Sequence, residues 1–270
     1  MNMTAFTNKV VVVTGAASGI GLAICERFAK AGAHLGLLDM DAVALEAAEK
    51  MLCDGGARCL SLPCDVSRQD ACTAAIGQVI DHFGGIDVLV NNAGITQRSA
   101  FVDTDIAVFE KVMAVNFFGS LYCTKAAIHS LVERKGLIIV NESIAGIAPL
   151  LGRTGYSASK HALHGLFTSL RTEIRETGAH VMTVCPGFVE TNLQTRALGA
   201  DGHVTQRPQS RVGGQQTPRK VADIVFRGAL RRKDLLVLTP VGKLTWWMSR
   251  LLPPLYERIM AKQLKSELNG

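Results

Sequence analysis

Seven short apolar runs, each followed by a longer segment of helical period, constrain this chain more than any other feature. The runs fall at residues 10–13, 33–38, 57–62, 86–90, 137–140, 180–184 and 235–238. Several are rich in Val, Ile and Leu without polar alternation, as expected of strands covered on both faces. The gaps hold amphipathic periods at 20–30, 42–52, 68–83, 105–133, 155–176 and 218–232, which predict helices. Strands alternating with helices make βαβ units, and right-handed crossovers build them into a doubly wound parallel α/β sheet. Such a sheet has a crevice at the carboxyl ends of its strands. The expected organisation is one domain over residues 1–242 and a helical C-terminal extension over 243–270. Residues 190–217 are polar and have no period, so a lid or binding loop is expected at about 188–217.

Charge and cysteine usage narrow the function classes. The net charge is +6, but residues 227–270 hold nine basic and three acidic residues, so the body is neutral. The body therefore lacks the basic footprint of a nucleic-acid binder. Seven Cys without a C-x-x-C pair suggest neither a disulfide framework nor a zinc site. The seven His form no ligand-spaced cluster, so no metal is expected. No stretch reaches the ~18 uncharged apolar residues that span a bilayer, and none resembles a signal peptide. A cytoplasmic protein is the expectation.

The first strand runs into Thr14-Gly15-Ala16-Ala17-Ser18-Gly19-Ile20-Gly21, and a helix follows. Glycines there permit tight backbone geometry and close approach of a ligand, while the helix N-terminus presents N–H groups to a pyrophosphate. The spacing is G-x-x-x-G-x-G rather than G-x-G-x-x-G. Asp39 closes the second strand. A carboxylate there can accept hydrogen bonds from the adenosine ribose and would repel a 2′-phosphate. With no Lys or Arg in the glycine turn, NAD is favoured over NADP. The bland alternative is that Asp39 or Asp41 caps the next helix, although Asp41 suffices for that.

Tyr156 and Lys160, four apart at the start of a predicted helix, share one face. A free tyrosine is too weak an acid to serve as a base at neutral pH, and a neighbouring ammonium stabilises its phenolate. Ser143 lies thirteen residues before Tyr156, just past the fifth strand, where its hydroxyl could hold a substrate oxygen. Asn91-Asn92-Ala93-Gly94 follows the fourth strand. Asn116 falls inside a predicted helix, where Asn is mildly unfavourable; a buried hydrogen bond would explain it.

In order and spacing these residues resemble the short-chain dehydrogenase/reductase family over about residues 8–240. The resemblance rests on Thr14–Gly21, Asp65, Asn91–Gly94, Asn116, Ser143, Tyr156-x-x-x-Lys160 and Pro186-Gly187 with Thr191. It implies a Rossmann-type fold with four catalytic residues. Tyr156 would be the general acid/base and Ser143 would orient the substrate oxygen. Lys160 would lower the tyrosine pKa and bind the nicotinamide ribose, and Asn116 would hold a relay water. For the cofactor it implies Gly15, Ser18, Gly19, Ile20 and Gly21 at the pyrophosphate, Asp39 at the ribose, and Asp65 with Val66 at the adenine. Asn92, Ala93 and Gly94 would line the cofactor, with Pro186, Gly187, Val189 and Thr191 at the nicotinamide end. Glu142 departs from the small polar residue usual before the catalytic serine. Relatives commonly pair through the helices containing Asn116 and Tyr156, so a homodimer or homotetramer is implied.

The resulting expectation is an NAD-dependent oxidoreductase acting on a hydrophobic secondary alcohol or ketone. An apolar wall of Ile144, Ala145, Gly146, Ile147, Ala148, Pro149, Leu150 and Leu151, with Ile95, Phe188 and Leu193, supports that substrate class. An NADPH-dependent 3-oxoacyl-thioester reductase is the nearest rival, against which Asp39 argues. A cofactor-sensing scaffold would not need the proton-transfer residues. In the tail, Leu244, Trp247, Met248, Leu251 and Leu252 recur at helical spacing. Pro253-Pro254 interrupts, and Leu255, Tyr256, Ile259, Met260, Leu264 and Leu268 resume. The stripe is expected to pack on the domain or on another subunit; the competing reading is contact with a membrane surface, since both Trp lie beside basic residues.

Overall fold

The computed structural model describes residues 5–206 and 214–265. Seven strands form one parallel sheet: β1 (Val10–Thr14), β2 (His34–Asp39), β3 (Arg58–Pro63), β4 (Val88–Asn91), β5 (Leu137–Asn141), β6 (His180–Cys185) and β7 (Leu235–Val237). Their order is β3-β2-β1-β4-β5-β6-β7. The chain winds outward from β1 to β3, then returns to place β4 on the other side of β1. That reversal opens the crevice at the carboxyl ends of β1 and β4. All seven expected strands are present.

Period two explains the two-faced burial of the sheet. Val11 and Val13 pack into one core layer with Ile24 and Phe28 of α1 (Gly19–Ala29) and Phe226 of α7 (Pro218–Leu230). Val10 and Val12 pack into the opposite layer, with Ile76 and Val79 of α3 (Gln69–Phe83) and Leu163 and Phe167 of α6 (Thr154–Glu173). Phe28 is fully buried, and truncating such a side chain costs ~3–5 kcal/mol. The remaining sheet helix of the first half, α2 (Ala42–Asp54), starts at Asp41, whose carboxylate accepts from Ala44 N at 3.1 Å.

The helix expected at 105–133 is continuous but not uniform. It comprises α4 (Ile106–Met113), a π turn at Ala114–Phe118, and α5 (Gly119–Glu133). By length and composition the run Ile106–Glu133 is apolar enough to cross a membrane, contrary to the sequence expectation. It lies along the sheet instead, burying Cys123, Ala127 and Leu131.

The loop after β6 is tethered where it is described. Leu198 N donates to Thr96 O at 2.9 Å, Arg98 N to Leu198 O at 2.8 Å, and Gln216 N to Phe188 O at 3.0 Å. The rest of the expected lid, 207–213, lies outside the described residues.

The tail forms α8 (Pro240–Leu251) and α9 (Pro253–Leu264). Its packing differs from the expected stripe. The face that docks carries Gly242, Ser249, Tyr256 and Leu264. Ser249 Oγ donates to Ile147 O at 3.3 Å, and Tyr256 Oη to Pro149 O at 2.7 Å. Tyr256 and Leu264 are buried as expected, whereas Leu244, Trp247, Leu251, Leu252, Leu255 and Ile259 are exposed. Ser249 and Tyr256 dock through the carbonyls of Ile147 and Pro149, which the exposed leucines of the row cannot engage. Leu268 lies outside the described residues.

Candidate active site

The turn after β1 is shaped by what its glycines lack. Gly15 and Gly19 have φ of +65° and +57°, where a side chain is strained. A Cβ on Gly21 would run into the Gly15 carbonyl and stand 2.7 Å from Asn92 Nδ2. The turn is therefore folded back on itself, and α1 begins beneath it. Ser18, the residue preceding α1, leaves its hydroxyl exposed rather than bonded to the helix. Free N–H groups and that hydroxyl make a cradle that suits a pyrophosphate.

Long-range hydrogen bonds hold the cradle. Thr14 Oγ1 accepts from Asn92 N at 2.9 Å and from Ala93 N at 3.0 Å. Asn92 Nδ2 donates back to Thr14 O at 2.9 Å, and Asn92 Oδ1 accepts from Asn141 Nδ2 at 2.9 Å. Asn92 thus ties β1, β4 and β5 together at the crevice floor. Asp39 does not cap α2, a task that falls to Asp41. One Asp39 oxygen accepts from Ala17 N at 3.0 Å within the glycine turn, and the other from Asp41 N at 3.1 Å. Asp65 accepts from Ser67 N and Oγ at 3.0 and 2.7 Å, which sets the corner after β3.

The crevice has a volume of about 420 Å³. Its wall includes Gly15, Ser18, Gly19, Ile20, Asp39, Asp65, Val66, Asn92, Ala93 and Gly94 on one side, and Ser143, Tyr156, Lys160, Pro186, Gly187, Val189 and Thr191 on the other. Of the expected residues, Gly21 and Asn116 do not reach this wall. Gly21 is buried behind the turn. Asn116, fully buried, sits behind Gly94, where a Cβ would come within 3.1 Å of its Oδ1.

The π turn explains Asn116. Its side chain accepts from Ile95 N at 2.8 Å and donates to Ile95 O at 3.0 Å and Ser159 Oγ at 2.9 Å. Ser159 Oγ in turn donates to Tyr156 O at 2.8 Å. Asn116 therefore links the strand-end loop to the helix that carries Tyr156. Its backbone carbonyl accepts from Ser120 Oγ at 2.9 Å.

Burial dominates the electrostatics. It pushes the Tyr156 phenol above its ordinary value, against a hydrogen bond from Ser143 and the charge of Arg153, both of which favour ionisation. Lys160 Nζ donates to Asn141 O at 2.9 Å and stands 5.8 Å from the Tyr156 ring centre. Burial pulls its ammonium down to about 8, opposed by the negative charge of Glu142. Glu142 is itself buried. One of its oxygens faces His164 Nδ1 at 3.2 Å and accepts from Cys185 Sγ at 3.4 Å.

Sequence reasoning had not singled out Arg153, Asn141, Thr14 or Ser159 for these tasks. An arginine three residues before Tyr156 was the one available signal. The expected substrate wall is only partly right. Ile95 and Leu193 reach the crevice, but 144–151 and Phe188 do not line it. Residues 144–149 lie instead under the tail, with Ile144 against Gly242. Lys111, Asn192, Gln194 and Arg196 add polar groups at the rim.

Known proteins share this fold. A family profile described as short chain dehydrogenase matches residues 9–200. The chain is 35% identical over 268 residues to the dehydrogenase/reductase SDR family member 7B of Bos taurus, covering 96% of this chain and 82% of that protein. Among solved structures, a short chain dehydrogenase/reductase of Burkholderia phymatum in complex with NAD superposes with a TM-score of 0.83 at 24% identity, covering 93% of this chain and 95% of that one. An alcohol dehydrogenase of Thermococcus sibiricus complexed with 5-hydroxy-NADP gives 0.75 at 26%, covering 87% and 97%.

Proposed function

The chain belongs to the short-chain dehydrogenase/reductase family of oxidoreductases that use a nicotinamide cofactor, and from that premise we propose that it interconverts a hydrophobic secondary alcohol and its ketone with NAD. The observation that carries the proposal is the meeting of Tyr156, Ser143 and Lys160 on the same crevice as the glycine cradle. The dinucleotide, when bound, takes or gives the hydride at its ring carbon. Ser143 orients the substrate oxygen, and Tyr156 takes its proton during oxidation or returns it during reduction. Lys160, its ammonium fixed by the Asn141 carbonyl, adds positive charge to the phenol's surroundings. Arg153 contributes to the same end. Asn116 acts as a positioning residue, holding the loop and the helix that flank the reacting atoms.

Asp39 supports NAD. Its oxygens sit at the end of β2 beside the cradle, where a 2′-phosphate would meet negative charge. Ile95, Val115 and Leu193 support an apolar substrate. We further propose that two copies pair through α5 and α6; Phe118, stacked on Tyr122, is exposed at the start of α5.

Nicotinamide absorbance over a panel of ketones and alcohols tests the reading. We expect turnover with NADH exceeding that with NADPH, and Asp39→Ala narrowing the ratio by about tenfold, or ~1.4 kcal/mol. Equal use of both cofactors by the unaltered protein would contradict the NAD assignment. No turnover of any carbonyl compound would contradict the enzyme reading.

A further inference from the structure

Among the described residues nothing covers the apolar row of the tail, and its border is basic. In α8, Leu244, Trp247 and Leu251 fall three and four apart, on one side of the helix. They are 60%, 55% and 67% exposed. Leu252 and Leu255 carry the row across the Pro253-Pro254 break to Ile259 on α9. Ser249 holds the opposite face of α8 to the domain, and Tyr256 holds the side of α9 that borders the row. The outward orientation of the apolar row is therefore a consequence of how the tail docks.

The charged residues follow the same geometry. Lys243 and Arg250, seven apart, share one edge of α8, between the docked and the exposed faces. Arg258, Lys262 and Lys265 repeat at helical spacing on α9, and all are exposed. The only acid between Pro240 and Lys265 is Glu257. An apolar strip with a tryptophan, edged by cations that can extend toward phosphate, is the arrangement that lies in the headgroup region of a membrane.

We propose that α8 and α9 form a docking face for an anionic lipid surface, with Leu244, Trp247, Leu251, Leu255 and Ile259 entering the interface and Lys243, Arg250, Arg258 and Lys262 meeting the headgroups. A second copy of the chain is the other occupant such a face could have. Charge decides between them. Two such faces brought together would oppose their cations with one glutamate each, whereas an anionic headgroup layer neutralises every one. The inference does not depend on the reaction catalysed in the crevice.

Vesicle co-sedimentation of the full chain tests the proposal. The chain has two tryptophans, both in α8; Trp247 lies in the exposed row and Trp246 does not, so the part of the emission lost in Trp247→Ser reports on this face. With phosphatidylcholine vesicles containing about a third phosphatidylglycerol, we expect pelleting and a blue shift of emission. Pure phosphatidylcholine should retain at least about tenfold less protein, and about 0.5 M salt should release most of it as the screening length contracts. Trp247→Ser with Leu251→Ser, and separately Lys243→Gln with Arg258→Gln and Lys262→Gln, should each lower pelleting about tenfold. Both sets alter exposed side chains, so unchanged thermal melts will show that the fold is intact. No pelleting, equal pelleting on both vesicle types, or face variants that change the sedimentation mass without changing lipid retention would overturn it.

Discussion

The glycine turn and the C-terminal helices are both conspicuous in the sequence, and the fold treats them in opposite ways. At the turn the groups that hold the backbone in place are paired, and the open ones are those of the cradle. Thr14 Oγ1 takes two backbone N–H groups, Asn92 returns a hydrogen bond to the Thr14 carbonyl, and Asp39 holds Ala17. In the tail, the longest apolar row faces outward and the face with Gly242, Ser249, Tyr256 and Leu264 docks. Steric exclusion and hydrogen-bond closure specify one structure. An amphipathic stripe specifies only that a helix has two faces, and leaves open which of them the domain will receive.

The comparison can be broken first at Gly21. Alanine there must displace the Gly15 carbonyl or Asn92, so Gly21→Ala should cost about 3 kcal/mol and reduce dinucleotide affinity severely. Thermal unfolding and calorimetric titration with NADH would measure both. An unchanged melt with normal binding would show that the cradle is looser than its geometry implies.

Lys160 sharpens the contrast, because it is a residue that the proposed function requires and stability does not. Lys160→Met should lower turnover by ~10²-fold or more. The same change should stabilise the fold at neutral pH. In the unfolded chain the ammonium persists to its ordinary 10.5, whereas in the folded protein burial releases the proton near 8. Between those values the unfolded state binds more protons, so the stability of the unaltered protein rises with pH. The advantage of the methionine variant, of order 3 kcal/mol less the lost hydrogen bond to Asn141, is therefore largest below pH 8 and fades toward 10.5. Denaturant melts across this range check the sign; a variant less stable at pH 7 would contradict it.

The sheet and its crevice were legible because strand and helix periods differ and the glycine turn follows the first strand. That Ser143, Tyr156 and Lys160 meet on the crevice was legible as a spacing. What lay hidden depends on contacts between distant residues. The Thr14–Asn92–Asn141 link joins residues 49 and 78 positions apart, and no local pattern signals it. The π turn was visible only as an asparagine out of place, since the apolar period runs on through it. The tail was misjudged because hydrophobicity was taken as the sign of the docked face. The carbonyls at 147 and 149 accept from Ser249, which lies outside the expected stripe, and from Tyr256, which lies within it.

The smallest effect belongs to the exposed row. Trp247→Ser and Leu251→Ser, singly, should change stability by no more than about 0.5 kcal/mol, because both side chains are more than half exposed and Trp247 gives up only its tilted contact with the Trp246 ring. A loss of several times that amount would show that the row is packed in solution, and the contrast with the turn would fail.

The central claim is that the Tyr156 hydroxyl exchanges the proton while the dinucleotide in the glycine cradle exchanges the hydride. Tyr156→Phe, assayed by nicotinamide absorbance on the best ketone of the panel, tests it most directly. The account predicts a loss of ~10²–10⁴-fold in turnover with NADH affinity nearly unchanged. A variant that keeps its rate would contradict it.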